Sequence, residues 1–395
     1  MSVFIGSNLV IFALIFRLIM SNIQLVDLLS QYHKIEDEIN TAVIDVIRSG
    51  QFIGGEQIKN FTNNLENKLG VKHVIPVANG TDALQIALMA ADLKPGDEVI
   101  TPSYTYIATA EVIALLNLTP KFIEVDPQTF TIDVNKLEEV VTEKTKAIIP
   151  VHLYGQCANM QPILDFAKKH NLTVIEDTAQ AINAEHYFED GSMKKAGCIG
   201  HMGTTSFFPS KNLGAFGDGG AMFTNDDDLA AKIRMIANHG QKVKYQHDII
   251  GCNSRLDTIQ AAILDIKLKH LDSYIHARQY AAGYYDAAFE NVDQLTVPFR
   301  AKHSNHTFHQ YTMVVDTQER RDGLMKHLNE NGVPSNIYYP IPIHKQKGFQ
   351  QYEVNTDLSL TEDLCSRVIS LPMHTELTDE QLDKITNTVI NYFKS

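Results

Sequence analysis

Leu172-Thr173-Val174-Ile175-Glu176-Asp177-Thr178-Ala179-Gln180 is an apolar run that ends in two acids and passes at once into small polar residues. Residues 172–176 read as a short buried strand ending at Asp177, and residues 160–170 before them as an amphipathic helix. The same alternation extends outward. Residues 57–69 read as a helix, 73–78 as a strand, and Gly80 opens a helix through Leu84, Leu88 and Ala91. Strands are expected at 98–101, 120–125 and 146–151, with a helix at 108–116. Short apolar strands alternating with helices specify an α/β fold built on a mostly parallel sheet. Ligands of such sheets bind at the carboxyl ends of the strands, which is where Asp177 falls. A carboxylate there is costly unless paired. It is either a helix N-cap or the partner of a cationic ring.

Beyond residue 200 the pattern changes. Residues 203–224 are strand-like with clustered glycines, and 256–290 read as a long, mostly helical connector. Strands are expected at 310–315 and 336–339, and helices at 321–331 and 379–393. This divides the chain into a large unit over 20–270 and a smaller C-terminal α+β unit over 271–395. The 395 residues carry 34 Lys+Arg against 47 Asp+Glu, a net charge of −13. That balance argues against nucleic acid as a partner, because phosphate neutralisation needs a basic face. The four cysteines form no CxxC pair, so neither a zinc site nor a disulfide framework is indicated. The histidines show no metal-ligand spacing, and no metal is expected.

The second informative stretch is Thr205-Ser206-Phe207-Phe208-Pro209-Ser210-Lys211-Asn212-Leu213-Gly214, continuing to Gly220. A lone lysine among apolar and small residues can have a lowered amine pKa and form a Schiff base with a carbonyl. The plain alternative is a surface lysine in a glycine turn. Asp177, 34 residues earlier, tilts the balance. Pyridoxal phosphate (PLP) needs an acid at its ring nitrogen to work as an electron sink. Asn79-Gly80-Thr81-Asp82 adds a strand–turn–helix junction, whose free N–H groups suit a phosphate.

With these motifs in order, the chain resembles the DegT/StrS family of sugar-nucleotide aminotransferases, PLP enzymes of the aspartate-aminotransferase fold (fold type I). The resemblance runs from about residue 24 onward. It rests on Gly50-Gln51-Phe52-Ile53-Gly54-Gly55, Asn79 to Leu84, Thr101-Pro102-Ser103-Tyr104-Thr105-Tyr106, Val151-His152-Leu153-Tyr154-Gly155-Gln156, Glu176 to Gln180, the Lys211 segment and Asn253-Ser254-Arg255-Leu256-Asp257. By this resemblance Lys211 holds the coenzyme, and Asp177 pairs with its pyridine nitrogen. Gln180 contacts its phenolic oxygen and Tyr106 stacks on its ring. Gly80, Thr81, Asp82 and Ser206 cradle its phosphate. Asn253 reaches the phosphate in a neighbouring subunit, which implies a homodimer with shared sites. Arg255, Tyr338, Tyr339 and His344 face the substrate.

The resemblance further implies a nucleotide-sugar substrate, L-glutamate as amino donor with 2-oxoglutarate leaving, and a cytoplasmic enzyme of surface polysaccharide (O-antigen) synthesis. Relatives with histidine at the Lys211 position act as dehydratases, so Lys211 favours transamination. Phe207-Phe208-Pro209-Ser210-Lys211-Asn212-Leu213-Gly214 is similar to enzymes that aminate C3. Tyr339-Pro340-Ile341-Pro342 is most similar to those acting on UDP-2-acetamido-2-deoxy-ribo-hex-3-uluronic acid. Those enzymes place histidine where this chain has Tyr338, and residues 185–203 are longer here. Amination of a dTDP-3-keto-6-deoxyhexose or of a C4-keto sugar is the alternative, and a PLP-binding regulator without turnover is another.

The N-terminal residues 1–19 contain an apolar run, 9–16, too short to span a bilayer. Since PLP and nucleotide sugars are cytosolic, the expectation is that the working chain starts at Met20 and is not membrane-bound.

Overall fold

The computed structural model describes residues 23–394. The N-terminal apolar run and the expected start at Met20 lie outside the described residues. The main sheet has seven strands. They are β1 (His73–Val77), β2 (Glu98–Pro102), β3 (Thr119–Ile123), β4 (Thr145–Ile148), β5 (Thr173–Asp177), β8 (Met202–Ser206) and β9 (Gly220–Thr224), with a hairpin of β6 (Glu185–Tyr187) and β7 (Met193–Lys195) inserted between β5 and β8. The order across the sheet is β1-β9-β8-β5-β4-β2-β3. The pairs β8–β5, β5–β4, β4–β2 and β2–β3 are parallel, and β9 runs against both its neighbours. The sheet is therefore mostly parallel, as the alternation requires.

The reversal at β9 explains why residues 207–219 hold no helix. Parallel neighbours need a long crossover, whereas antiparallel ones can be joined directly. The chain leaves Ser206 and returns at Gly220, its register partner, so the intervening loop stays at the carboxyl edge. Lys211 is in that loop. Its glycines are required by close packing. A Cβ on Gly214 would lie 2.2 Å from the Pro209 carbonyl oxygen, and one on Gly220 would lie 2.5 Å from the backbone of Asn79.

Helices cover both faces. Gly80–Ala90 turns Ala83, Leu84, Ile86, Ala87 and Leu88 inward against Val77, Val99 and Ile175 of the sheet. On the other face, Phe61 and Leu65 of Glu56–Leu69 meet Leu264 and Leu268 of Thr258–Lys269. Val174 and Ile175 of β5 are both fully buried, one toward each layer. That is why residues 172–176 read as a continuous apolar run.

A short pair, β10 (Gln241–Val243) and β11 (Gln246–His247), follows β9, and the C-terminal unit is a three-stranded sheet of β12 (Leu295–Thr296), β13 (Tyr311–Val315) and β14 (Val368–Leu371), with helices Gln318–Glu330 and Asp379–Lys394 packed on it. Ile23 belongs to this second core, so the first described residue packs with the last third of the chain. One expectation is corrected. Residues 336–339 form no strand. Asn336 makes only an isolated bridge to Ser370 of β14, and that strand takes the expected pairing with β13. β14 is only four residues long and follows a helix directly, so it carries no pattern of its own. The connector at 256–290 is mostly helical, as expected, and is made of two helices, Thr258–Lys269 and Leu271–Phe289, meeting at His270. Among the described residues no helix is long and apolar enough to cross a membrane.

Candidate active site

Four carboxyl-terminal strand ends meet at one edge. At β1, Asn79 caps the following helix by accepting from the Asp82 N–H at 2.8 Å. Gly80 and Thr81 open that helix, so their N–H groups have no intrahelical acceptor. A Cβ on Gly80 would stand 2.7 Å from Cβ of Ser206 at the end of β8. Only glycine lets the helix start approach that strand. Gly80, Thr81, Asp82 and Ser206 thus form one half-buried cradle of N–H and hydroxyl groups at a helix N-terminus, which suits a phosphate.

At β5, Asp177 is 6 % exposed. Its carboxylate accepts from the Thr109 hydroxyl at 2.8 Å and the Ala179 N–H at 3.1 Å, both neutral donors. No salt bridge is formed to it among the described residues. A buried carboxylate served only by neutral donors is the setting a ring cation would complete. Gln180, also buried, accepts from the Tyr154 N–H at 2.7 Å and donates to the Tyr339 hydroxyl at 2.9 Å. Tyr339 in turn lies with its ring centroid 6.1 Å from that of Tyr106, which is 58 % exposed.

Lys211 stands in the loop between β8 and β9, and Asn212 Nδ2 ties that loop to the Thr307 carbonyl at 3.0 Å. Burial lowers Lys211 from 10.5 to about 8, against an opposing pull from Asp177. A substantial part of the amine is therefore neutral near pH 8. The consequence for the coenzyme-free protein has a definite sign. In the unfolded chain Lys211 keeps its proton up to its ordinary value; in the fold it releases it at about 8. Between these limits the unfolded state binds the extra proton, so stability rises with pH across that window. Coenzyme-free Lys211→Met is expected to be the more stable protein at about pH 7, and its lead should shrink as the pH rises toward the ordinary lysine range. Urea midpoints of both apoproteins at two pH values check this.

Asn253 and Arg255 are exposed and line a cavity of about 570 Å³ with Ile53, Asn79, Gly217 and Asp218. Tyr338 uses its carbonyl to accept from the Tyr104 hydroxyl at 2.8 Å and from the Tyr154 hydroxyl. His344 is 9 % exposed, and both its ring nitrogens are engaged, Nδ1 with Ser103 Oγ at 2.7 Å and Nε2 with Glu362 at 3.0 Å. The structure therefore brings Gly80, Thr81, Asp82, Asp177 and Ser206 to one edge of the sheet. Tyr106 and Tyr339 are joined to it through Gln180, whereas His344 is held by protein groups. Thr109 contacts Asp177 but stands in none of the quoted motifs, and Tyr154 stands in the Val151 to Gln156 motif, where no role was expected of it. Thr109 lies one turn into the helix after Tyr106, and only its contact with Asp177 marks it.

Residues 33–390 match the DegT/DnrJ/EryC1/StrS aminotransferase family. The chain belongs to this family. Among its relatives, a "Pleiotropic regulatory protein" of Geobacillus stearothermophilus is 43% identical over 94% of this chain and 99% of its own. A "UDP-2-acetamido-2-deoxy-3-oxo-D-glucuronate aminotransferase" of Pseudomonas aeruginosa is 42% identical over 93% of this chain and 100% of its own. The solved structure of NtdA from Bacillus subtilis with bound cofactor PMP, 32% identical, superposes with a TM-score of 0.85 over 94% of this chain and 83% of that one. The DegT-family protein has the PLP fold type I and is a PLP-dependent sugar aminotransferase. The unpaired Asp177 carboxylate, the lowered Lys211 amine and the cradle at Gly80 and Ser206 fit that coenzyme.

Proposed function

We propose that the protein transfers an amino group from L-glutamate to C3 of a UDP-linked 3-keto-2-acetamido sugar, a uronic acid. The observation that carries the reading is a buried carboxylate, Asp177, that forms no ion pair among the described residues and lies at the same carboxyl edge of the sheet as the loop holding Lys211. Bound PLP supplies an electron sink for a carbanion next to nitrogen. Lys211 Nζ holds the coenzyme and, once released, takes the proton from Cα of the donor and returns one to the product side. Asp177 holds a positive charge at the ring nitrogen, with Thr109 and Ala179 fixing its orientation. Gln180 presents its side-chain amide to the phenolic oxygen. Gly80, Thr81, Asp82 and Ser206 bind the phosphate, and Tyr106 covers the ring.

Arg255, Tyr338, Tyr339 and His344 are assigned to the sugar nucleotide. Arg255 supplies cationic charge toward the anionic groups, while His344, held by Ser103 and Glu362, acts by fixing the wall after Tyr339. Asn253 reaches across a homodimer to the partner's phosphate. The large unit spans 20–270 and the small one 271–395. We place the enzyme in the cytoplasm, in surface polysaccharide synthesis. The substrate choice is supported by the Pseudomonas relative. The regulatory name of the Geobacillus relative favours a second reading, coenzyme binding without turnover.

The deciding assay is a panel of single-turnover aminations with L-glutamate. The UDP-3-keto uronic acid should be aminated with kcat/KM at least about tenfold above dTDP-3-keto-6-deoxy and C4-keto sugars, a difference of about 1.4 kcal/mol in transition-state binding. Preference for either of the latter overturns the substrate. Absence of glutamate-driven turnover with every sugar favours the regulator.

A further inference from the structure

Glu176 precedes Asp177 on β5, and neighbouring side chains on a strand point to opposite faces. Asp177 faces the site, so Glu176 faces away from it. Glu176 is nonetheless 0 % exposed, as is its partner His152. Its carboxylate accepts four hydrogen bonds. Oε1 takes the N–H groups of Ile199 and Gly200, each at 2.7 Å, and Oε2 takes the Gly197 N–H and His152 Nε2, each at 2.9 Å. Three backbone donors from one loop make a nest for the anion.

His152 is oriented unambiguously. The Ala158 N–H can only donate, and it points at Nδ1 from 3.0 Å. Nδ1 is therefore the acceptor, and Nε2 carries the proton that goes to Glu176. The backbone of the same residue grips the strand end. His152 N–H donates to the Asp177 carbonyl at 3.0 Å, and the Asp177 N–H donates to Pro150 O at 3.0 Å. Two residues on, the Tyr154 N–H holds Gln180 Oε1 at 2.7 Å.

We infer that His152 and Glu176 are a positioning pair that sets where Asp177 and Gln180 point, without touching coenzyme or substrate. The inference rests on the roles proposed above for those two residues. The imidazole holds the Glu176 side chain, and the backbone of the same 150–152 segment pairs with Asp177 along the strand edge. The Cα–Cβ direction of Asp177 is thereby fixed between two clamps. The segment that leads to Tyr154 leaves the same histidine, so Gln180 hangs from the same clamp. Glu176 also fastens residues 197–200 at the base of the β6–β7 insertion, which ties the longer segment of this chain to the strand that carries Asp177.

The test uses the full-length holoenzyme and two substitutions. Asn at 152 has an oxygen in the Nδ1 place, so it can serve Ala158 but cannot reach Glu176. Gln at 152 has an N–H₂ group in the Nε2 place, so it restores the donor to Glu176. With His152→Asn, the apparent Kd for PLP should rise and kcat should fall, each about tenfold, while KM for L-glutamate stays within about twofold. His152→Gln should bring both back to within about threefold of wild type. Glu176→Gln, read the same way, should raise the Kd for PLP even if His152→Asn does not accumulate. A His152→Asn protein with lowered Tm but wild-type PLP affinity and kcat would show a merely structural role and overturn the inference. A His152→Gln protein as impaired as His152→Asn would do the same. Asp177→Asn serves as the control. If it too keeps wild-type PLP affinity and kcat, the roles proposed for the site fail. If it loses them while His152→Asn does not, only the positioning role fails.

Discussion

Lys211→Ala is expected to reduce transamination by at least about a thousandfold, since in the roles proposed above it removes both the group that holds the coenzyme and the proton-transferring amine. The fold should survive. Lys211 is in a loop rather than a strand, and its Nζ makes no hydrogen bond or ion pair among the described residues. Removing an amine whose charged form burial disfavours takes away a cost, so the variant's Tm should be no lower than that of coenzyme-free wild type. The clearest readout is covalent. Borohydride treatment of the wild-type holoenzyme should fix the coenzyme to the peptide containing Lys211, and mass spectrometry should find no such adduct in Lys211→Ala. A variant that keeps wild-type turnover, or an adduct on another lysine, would refute the assignment.

Asp177→Asn is the second large effect. The amide oxygen can still accept from the Ala179 N–H, and the amide NH2 can donate to the Thr109 hydroxyl, which in the wild type donates to the other carboxylate oxygen, so the local geometry has partners to hold it. What it loses is the negative charge that would face the ring nitrogen. A single preorganised electrostatic partner in a water-poor site is worth about 10²–10³ in kcat, and a loss of that size is expected here. The stability consequence has the opposite sign. Without coenzyme, Asp177 is a buried carboxylate with only neutral donors, so neutralising it should raise the denaturation midpoint of the apoprotein. With coenzyme, the wild type should gain more stability than the variant, because it binds the cation more tightly. Paired melting curves with and without PLP therefore cross between the two proteins. Parallel shifts would mean that Asp177 does not see the coenzyme.

Much of this site was readable before any coordinate. β5 is buried on both faces, so Val174 and Ile175 are both apolar, and the two acids that end the strand stand out. Gly80 and Asn79 announce a helix start through capping chemistry that depends on neighbours three residues away. Lys211 is set off by the small residues its loop needs for close packing. These signals are local, and local signals survive in one dimension. The expected strand at 336–339 fails for the same reason inverted. Its apolar residues resemble a strand, but the partner edge of β13 is taken by β14, a choice made by packing.

The α/β class, the family and the residues at the carboxyl edge are written along the chain, because hydrophobic period, caps and turn residues are fixed by near neighbours. Which groups hold those residues in place emerges from the folded chain alone. Thr109 meets Asp177 across 68 positions, Gln180 meets Tyr339 across 159, and Ser103 meets His344 across 241. The fold also gave His344, expected to face the substrate, protein partners at both ring nitrogens, Ser103 and Glu362. Such contacts join segments that come together only when the core closes, and a hydrogen bond between distant residues leaves no periodic trace in either.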